Sequence, residues 1–326
     1  IFENFNVSIW TAATKDYCVF IASHQSKKER IPFLIQCLES IIYQTMRVST
    51  YLSISFENED LEIHAKEQIN KLHDICSFLN VTYQPTKTAQ MKHYQYLSDQ
   101  FGKNHKWILF CDDDDTYDVN RINHYAYYLT NATQKLNEDL ILAGIYESLD
   151  KDHKQQRQEY WTYCVSSTLL KEFYDILLPH ENIINNRCCD VLFSEYLRRK
   201  DNHYRFLQVK TKYYNYRVED NSDSITGFIR SKQGVYTLTS KPPENPEELT
   251  EYTKTWETFI KSNVNVFLHD TFLKTLVGYD MEKIFETEFL HNCVLLNSIE
   301  REPIEKMTQL HTDLREICDT LYDIKL

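Results

Sequence analysis

The sequence predicts an α/β protein in which a mixed, mainly parallel sheet is flanked by helices and a C-terminal helical region follows. Short apolar runs alternate with stretches of helical periodicity through the first half of the chain. Strands separated by helices of this length are typical of parallel, doubly wound sheets. A linker with three prolines and three glutamates, KPPENPEE at 241–248, precedes a segment whose periodicity is helical throughout.

Strand and helix patterns follow one another from the start of this first half. The apolar run YCVFIA at 17–22 is typical of a buried strand, and the spacing of Leu34, Leu38 and Ile41 after Pro32 predicts a helix. The apolar run WILFC predicts a later strand that leads directly into four aspartates. The expected elements are a strand over 17–22, a helix from 32, a strand over 52–56, a helix over 61–79, a strand from 81, a helix over 88–100 and a strand over 107–111.

The order of elements changes after Asp118, where a helix is expected to start. Two strand patterns then enclose a charged turn, and helical patterns follow. The expected elements are strands over 140–146 and 160–165 and helices over 168–178, 191–199, 252–260, 266–276 and 304–321. We therefore expect an α/β domain over 1–240 and a helical accessory domain over 241–326 that is an appendage to it.

The composition of the 326-residue chain excludes several classes of function. A formal net charge of −12 argues against a nucleic-acid partner, because such binding depends on Lys and Arg that neutralise phosphates. Five glycines are too few to favour a glycine-rich phosphate loop. The nine cysteines show neither disulfide nor zinc spacing, and no apolar stretch reaches the length of a membrane span. We therefore expect a cytoplasmic protein without a membrane span.

Four consecutive carboxylates, Asp112 to Asp115, follow the WILFC strand. Like charges at this spacing repel one another, and a cleft holds them only where a cation or protons compensate. Carboxylate oxygens suit Mg²⁺ or Mn²⁺, which in turn bind the phosphates of a nucleotide diphosphate. Because side chains alternate along an extended segment, Asp112 and Asp114 should point to one side and Asp113 and Asp115 to the other. A solvated acidic loop or a helix N-terminal charge is the alternative interpretation.

Motifs at four places resemble those of the GT-A fold glycosyltransferases, most closely the large family 2. WILFCDDDDTYDVNRI resembles the family's strand that runs into Asp-x-Asp-Asp, its DXD motif. CVFIASHQSKKERIPFLIQCLESIIYQT is similar to its opening strand, polar loop and first helix, NNRCCDVLFSEYLRR to the helix with its catalytic acidic residue, and KTKYYNYRVEDNSDSIT to its closing Tyr-x-Arg segment. The resemblance covers about residues 17–226 and implies a GT-A, Rossmann-like fold for 1–240.

The activity that the resemblance implies is metal-dependent, inverting glycosyl transfer in glycan biosynthesis, of the hexosyltransferase kind. The donor would be a nucleotide diphosphate sugar, with a UDP-sugar favoured, and the acceptor a hydroxyl of a glycan, a protein or a small molecule. The cofactor would be Mn²⁺ or Mg²⁺, with Asp112 and Asp114 at the metal. The Gln-x-x-Arg-Trp motif and the membrane helices of the family's processive members are absent from the sequence, which implies a non-processive enzyme.

The resemblance also assigns donor-binding residues. Glu57 stands near the place of the family's Asp at the end of the second strand, and Ser23-His24 stand where Thr-x-Asn is common. Arg217 and Arg230, with Lys232, lie in a stretch that could close over the leaving diphosphate, although a solvated loop is the alternative. The expected donor-binding residues are Ser23, His24, Glu57, Lys92, Asp112, Asp113, Asp114, Arg217 and Arg230. For Lys92, a solvated helix face is an equal alternative.

Asp190 is the expected catalytic base, which would accept the proton of the acceptor hydroxyl. Cys189 replaces the Glu that usually precedes this residue in the family, and a helix N-terminal charge is the alternative role of Asp190. Trp161 and Tyr163 precede the helix that borders the acceptor pocket in the family, so we expect them to contact the acceptor. A position in the core is the alternative for Trp161.

Two other functions remain open at this point. A nucleotidyltransferase or sugar-nucleotide pyrophosphorylase also joins a parallel sheet to metal-binding carboxylates, but it normally needs a glycine-rich loop, and none is visible in the sequence. A catalytically inactive, glycosyltransferase-like binding module is the second alternative.

Overall fold

A computed structural model describes residues 14–135, 142–148, 157–201, 206–217, 243–288 and 301–322. The described residues form two compact units, the first within Ile1–Asp175 and Phe193–Arg217 and the second within Ile176–Leu192 and Val218–Leu326. The described strands are β1 Thr14–Gln25, β2 Val48–Phe56, β3 Leu79–Tyr83, β4 Trp107–Asp112, β5 Thr116–Tyr117, β6 Gly144–Glu147, β7 Tyr163–Ser166, β8 Phe206–Val209 and β9 Tyr214–Asn215.

The described helices occur in both units. They are α1 Ile31–Ile42, α2 Glu59–Ile75, α3 Gln90–Phe101, α4 Arg121–Lys135, α5 Ser167–Leu177, α6 Glu181–Ile184, α7 Cys189–Asp201, α8 Pro246–Leu276, α9 Met281–Glu288 and α10 Arg301–Tyr322. None of these helices combines the length with the apolar character that crossing a bilayer requires.

Seven of the described strands form one sheet in the order β3-β2-β1-β4-β7-β6-β8. β1 pairs in parallel with β2 and β4, β2 with β3, and β6 with β8, whereas β7 is antiparallel to both β4 and β6. Within this sheet only β7 therefore runs against the other strands. The predicted fold class, a mixed and mainly parallel sheet flanked by helices and followed by a C-terminal helical region, is confirmed.

The strand register brings the carboxyl ends of β1, β2 and β4 to the same edge of the sheet. Ala22 of β1 pairs with Asp112 of β4, and His24 of β1 pairs with Ser55 of β2. Because β1 lies between the other two strands, the residues at these three strand ends are neighbours. Ligands of open α/β sheets bind at such an edge.

Several elements differ from the sequence prediction in their bounds. The helix predicted over 61–79 ends at Ile75, and Leu79 is instead the buried first residue of β3. Tyr160–Thr162 forms a 3₁₀ turn before β7 instead of the start of the strand. The two helical stretches predicted at 252–260 and 266–276 belong to one continuous helix, α8, which starts at Pro246. The side chain of Asn245 caps its N-terminus by accepting a hydrogen bond from the backbone N–H of Glu247.

The division into units differs from the predicted boundary at 240. The segment Ile176–Leu192 belongs to the same unit as α8, α9 and α10, and the first unit ends at Arg217. Within this second unit, Sγ of Cys188 lies 2.6 Å from Nδ1 of His269, and Nδ2 of Asn182 donates to Oδ2 of Asp313 at 2.6 Å. The helices after the linker therefore share a compact unit with an earlier stretch of the chain, and the predicted domain organisation stays a prediction.

A fully buried ion pair joins α4 to β6 in the first unit. Nη2 of Arg121 lies 3.0 Å from Oε1 of Glu147, and both side chains are 0% exposed. Nη2 of Arg121 also donates to the carbonyl of Trp161 at 2.7 Å, and Glu147 accepts from the backbone N–H groups of Tyr213 and Tyr214. Burial opposes the charge of Arg121, but Glu147 keeps the pKa of the guanidinium above its ordinary value. The pair therefore connects four separate chain segments in the core.

Replacing Arg121 with Met should lower the free energy of unfolding by about 3–5 kcal/mol, because Glu147 would remain buried without its cation. Urea unfolding measures this loss. Lys71→Met is the control, since Lys71 pairs with Glu67 on the exposed face of α2 at 3.5 Å, where such pairs contribute about 0.3–0.5 kcal/mol. Equal losses in the two variants would contradict the role of the pair.

Candidate functional site

The four aspartates at the carboxyl end of β4 alternate in burial. Asp113 is 9% exposed and Asp115 is 1% exposed, whereas Asp112 and Asp114 are partly exposed. The burial alternates as predicted, but the extended segment assumed by the prediction is absent, because Asp113 and Asp114 lie in a turn and Nη2 of Arg30 contacts both of them. The next residues, Thr116 and Tyr117, form β5, so the cluster lies in a tight connection between two strands.

Asp113 is anchored to the end of β1 and to the 3₁₀ turn Lys28–Arg30 that follows it. Its Oδ1 accepts from Nη2 of Arg30 at 2.9 Å, and its Oδ2 accepts from Oγ of Ser23 at 2.7 Å and from Nε2 of Gln25 at 3.0 Å. Burial raises the pKa of Asp113, and the charge of Arg30 opposes that rise. Ser23 and Asp113, for which the sequence predicts donor contacts, are buried and hydrogen-bonded to each other, and their predicted contacts with the donor stay a prediction.

Asp115 is anchored on the other side, by the segment that contains β9. Its Oδ2 accepts from the hydroxyl of Tyr214 at 2.8 Å, and its Oδ1 accepts from the backbone N–H of Arg217 at 2.7 Å. Burial raises the pKa of Asp115 to about 7 despite these two donors. Asp113 and Asp115 therefore act as buried anchors that fix the backbone of the cluster.

Asp112 is held by side chains from three other elements, α3, the 3₁₀ turn Tyr160–Thr162 and β9. Its Oδ1 accepts from Nε2 of Gln90 at 2.9 Å and from the hydroxyl of Tyr160, and its backbone N–H donates to the hydroxyl of Tyr214 at 3.0 Å. Burial and the charge of Asp115 raise the pKa of Asp112 well above its ordinary value. The negative charge of this carboxylate is therefore unfavourable unless a proton or a cation offsets it.

Asp114 lies near two arginines. Its Oδ2 is 3.6 Å from Nη2 of Arg30, and its carbonyl accepts from Nε of Arg217 at 2.8 Å. Nη2 of Arg217 donates to Gln36 at 2.7 Å, and the guanidinium lies 4.2 Å from the ring centre of Phe33. The structure thus brings Arg217 to the aspartates, as the sequence predicts. Arg230 and Lys232 lie outside the described residues.

Glu57, at the end of β2, forms a small polar group with His24. Nε2 of His24 lies 3.1 Å from Oε2 of Glu57, and Nζ of Lys87 donates to the same oxygen at 3.0 Å. Lys87 and then His24 lower the pKa of Glu57. Nδ1 of His24 lies 3.0 Å from Oγ of Ser55. The structure therefore brings together the predicted donor residues His24 and Glu57, and it adds Lys87 to them.

Trp161 and Tyr163 are core residues in this structure. Trp161 is 6% exposed and stacks on Tyr214 with ring centres 4.1 Å apart, and it also stacks on Tyr216. Tyr163 is 1% exposed and stacks on Tyr146. The predicted acceptor contacts are corrected, because packing covers both rings. For Trp161 the alternative position in the core is the correct one.

Lys92 and Asp190 occupy the helices that the sequence predicts for them. Lys92 is partly exposed in the first turn of α3, and Asp190 is partly exposed in the first turn of α7. Asp190 lies in the part of α7 that belongs to the second unit. Glu195 of the same helix is engaged in ion pairs with Arg198 at 2.5 Å and Arg199 at 2.7 Å. The predicted roles of Lys92 and Asp190 therefore still rest on the sequence.

Several residues that contact the aspartates are not predicted from the sequence. They are Gln25, Arg30, Gln90, Tyr160 and Tyr214. Arg30 offered one signal, since it ends a polar loop of basic residues after β1. The others lie on separate elements, and nothing in their local sequence distinguishes them from ordinary core or helix positions.

The predicted binding of Mn²⁺ or Mg²⁺ by Asp112 and Asp114 stays a prediction, on which the arrangement of the carboxylates bears. Among the described residues, no group of three or more His, Cys, Asp or Glu side chains is arranged to hold a metal ion by itself. Mg²⁺, however, is often bound through one or two carboxylates together with substrate phosphates and water. Asp112 and Asp114 provide two partly exposed carboxylates, and burial together with the charge of Asp115 raises the pKa of Asp112, so that either a proton or a cation would offset its charge.

Comparison with known proteins finds no matching family model and no matching curated protein. Among solved structures, the chain is similar to S. aureus TarS, with 11% identity over 94% of this chain and 54% of that one and a TM-score of 0.46, so it spans about half the length of TarS. The chain is also similar to the structure of S. aureus TarS 1-349 in complex with UDP. The identity is 14% over 92% of this chain and 91% of that one, and the TM-score is 0.44.

A third similar structure is 4-diphosphocytidyl-2C-methyl-D-erythritol synthase from Anaerococcus prevotii DSM 20548, with 13% identity over 68% of this chain and 99% of that one and a TM-score of 0.41. These likenesses concern the fold alone.

His93 makes the stability of the fold depend on pH. Burial, with a smaller contribution from His24, lowers its pKa to about 4 from an ordinary value near 6.5. The unfolded chain therefore binds more protons between these two values, so His93 stabilises the fold fully above pH 6.5 and this contribution is lost as the pH falls to 4. Replacing His93 with Gln should reduce the fall in unfolding free energy over this range by up to about 3 kcal/mol.

Urea unfolding at a series of pH values between 7 and 4 tests this dependence. His73→Gln is the control, because His73 is exposed in the last turn of α2. The control should follow the wild-type curve. A His93→Gln curve parallel to the wild type would contradict the expected titration.

Proposed function

We propose that this protein is a metal-dependent, inverting glycosyltransferase. It transfers a sugar, most simply a hexose, from a nucleotide diphosphate sugar to an acceptor hydroxyl, and UDP is the favoured nucleotide. The observation that carries the proposal is the aspartate cluster at the carboxyl end of β4. Two of its carboxylates are buried and bound to protein donors, while Asp112 and Asp114 keep exposed surface.

The donor side of the proposed site uses residues at the ends of β1, β2 and β4. Asp112 and Asp114 would hold Mn²⁺ or Mg²⁺, which when bound stabilises the charge of the leaving diphosphate as a Lewis acid. Arg217 lies against the backbone of Asp114, where its positive charge favours the same diphosphate. Glu57, beside Lys87 and His24, would bind the nucleobase. The preference for UDP rests on the family resemblance of the sequence motifs.

Asp190 is the proposed base of the transfer step. It would accept the proton of the acceptor hydroxyl while that oxygen forms a bond to the anomeric carbon and the bond to the nucleotide diphosphate breaks. Attack from the face opposite the leaving group inverts the anomeric centre. Glu195, the next carboxylate on the same helix, is less suited because two arginines already bind it.

Replacing Asp114 with Asn should abolish the part of UDP binding that depends on Mn²⁺, because the neutral amide is a poorer ligand for a hard cation. The measurement is the UDP dissociation constant by calorimetry, with Mn²⁺ and with EDTA. Asp118→Asn is the control, since Asp118 is exposed and its cap on the N–H of Asn120 survives in the amide. An unchanged response to Mn²⁺ in Asp114→Asn would remove this residue from the metal site.

Replacing Asp190 with Asn should lower turnover about 100-fold to 10,000-fold, the range of general-base catalysis. UDP affinity should stay within about threefold of the wild type, because other residues contact the donor. The assay follows UDP release from the UDP-hexose that the wild type turns over. Glu181→Gln, at the exposed start of α6, is the control. Turnover near the wild-type value in folded Asp190→Asn would eliminate Asp190 as the base.

The same assay separates the proposal from its alternatives. Mn²⁺-dependent release of UDP from a UDP-hexose requires a catalytic site, which an inactive binding module lacks. Nucleotide binding without any turnover of UDP-hexoses, in water or with acceptor sugars, would favour the binding module.

A further inference from the structure

A row of buried polar groups runs from the middle of β2 to Glu57. Ser53 and Ser55 are two residues apart on the strand, so their side chains lie on the same face, where His93 of α3 contacts both. Nδ1 of His93 lies 2.8 Å from Oγ of Ser53, and its Nε2 lies 3.2 Å from Oγ of Ser55. The two serines are 0% exposed and His93 is 1% exposed. Buried polar groups of this kind must find their hydrogen-bond partners within the protein.

The direction of these hydrogen bonds follows from the contacts of Ser53, the end of the row that is farthest from Glu57. Nε2 of Gln84 donates to Oγ of Ser53 at 3.0 Å. Among the described residues, the only other partner of this hydroxyl is Nδ1 of His93, so the Ser53 O–H is satisfied only if it donates to that nitrogen. Nδ1 of His93 then carries no proton, and in the neutral ring the proton is on Nε2.

The same reasoning continues outward to the edge of the sheet. Nε2–H of His93 donates to Oγ of Ser55, whose own O–H must then donate to Nδ1 of His24, 3.0 Å away. The proton of the His24 ring is therefore on Nε2, which donates to Oε2 of Glu57 at 3.1 Å. Every hydroxyl and ring nitrogen in the row is satisfied, and all of the bonds point towards Glu57.

Glu57 receives two donors on one oxygen. Oε2 accepts from His24 and from Lys87, whereas Oε1 has no hydrogen-bond partner among the described residues. The side chain is 50% exposed, so this second oxygen is available to a ligand. A carboxylate accepts and never donates while it is ionised, and the ammonium of Lys87 beside it only donates. Together they match a ligand edge on which an N–H lies next to a carbonyl.

We propose that His93 is a positioning residue for nucleobase recognition, which acts through Ser55 and His24 to hold Glu57 as the acceptor for the ring N3–H of uracil. This inference rests on the proposed function, because it takes Glu57 to be the nucleobase contact. Lys87 is placed to donate to a uracil carbonyl next to N3–H. A base held in this way loses a charge-assisted hydrogen bond when N3 is methylated.

The test compares the dissociation constants of UDP and of UDP methylated at N3 of uracil, each with Mn²⁺. The wild type should prefer UDP by about tenfold or more, since hydrogen bonds to charged groups are stronger than neutral ones. His93→Phe keeps a ring without hydrogen bonds and should lose most of this preference. His93→Gln, whose amide both donates and accepts, should retain most of it.

Two further variants distinguish a loss of positioning from a general loss of stability. Ser55→Ala removes the hydroxyl between the two imidazoles with little change in volume, and it should lower the preference as His93→Phe does. His105→Phe is the matched control, because His105 is also buried but bonds to Tyr51 and to the carbonyl of Lys15 at the opposite ends of the strands. It should lose stability and keep the wild-type preference for UDP.

The outcomes separate this inference from the proposed function. If wild-type protein binds UDP and its N3-methyl derivative equally, or if folded His93→Phe and Ser55→Ala keep the wild-type preference, the positioning role is wrong while nucleotide binding stands. If neither nucleotide binds with Mn²⁺ or Mg²⁺, the proposed function fails, and the inference fails with it.

Discussion

The buried ion pair between Arg121 and Glu147 is the interaction on which the rest of the site depends. Removing two charges from water is costly, and the pair is held because both partners make further hydrogen bonds in the core. Through Glu147 it fixes the backbone of Tyr214, whose hydroxyl in turn contacts Asp112 and Asp115. A hydrophobic pair of similar size could be as stable, but it would not place these donors.

The aspartate cluster shows how like charges are accommodated at one strand end. Asp113 faces the positive charge of Arg30, and Asp115 accepts from a tyrosine hydroxyl and a backbone N–H. These contacts stabilise the two buried carboxylates. Asp112 and Asp114 keep more exposed surface, although Gln90 and Tyr160 donate to Asp112 and Nη2 of Arg30 lies 3.6 Å from Oδ2 of Asp114. The four carboxylates therefore differ mainly in their exposure to solvent.

A second set of polar groups lies on the face of β2 that packs against α3. Serine hydroxyls inside a central strand are unfavourable unless they find partners. His93 supplies partners to two of them at once, and its neutral ring transmits the direction of the hydrogen bonds from the core to the edge of the sheet. The interior of the sheet and the exposed Glu57 are thereby part of one network.

The sequence by itself determined most elements of the first unit and the position of the aspartates after β4, although it missed the short strands β5, β8 and β9. It also predicted that Asp112 and Asp114 differ from Asp113 and Asp115, as their burial shows. These features depend on the local periodicity of the chain, which is visible within ten or twenty residues. The same local information gave α8 and α10, although it divided α8 into two stretches.

Only the tertiary structure decided which groups touch across the fold. The anchoring of Asp113 by Arg30, the burial of Trp161 and the contact of Cys188 with His269 each join residues that are tens of residues apart. Such contacts depend on how side chains from separate elements fill the same space, and one residue type can satisfy several of these environments. A sequence pattern therefore predicts that a strand ends in carboxylates, whereas packing decides which of them are buried and which keep exposed surface.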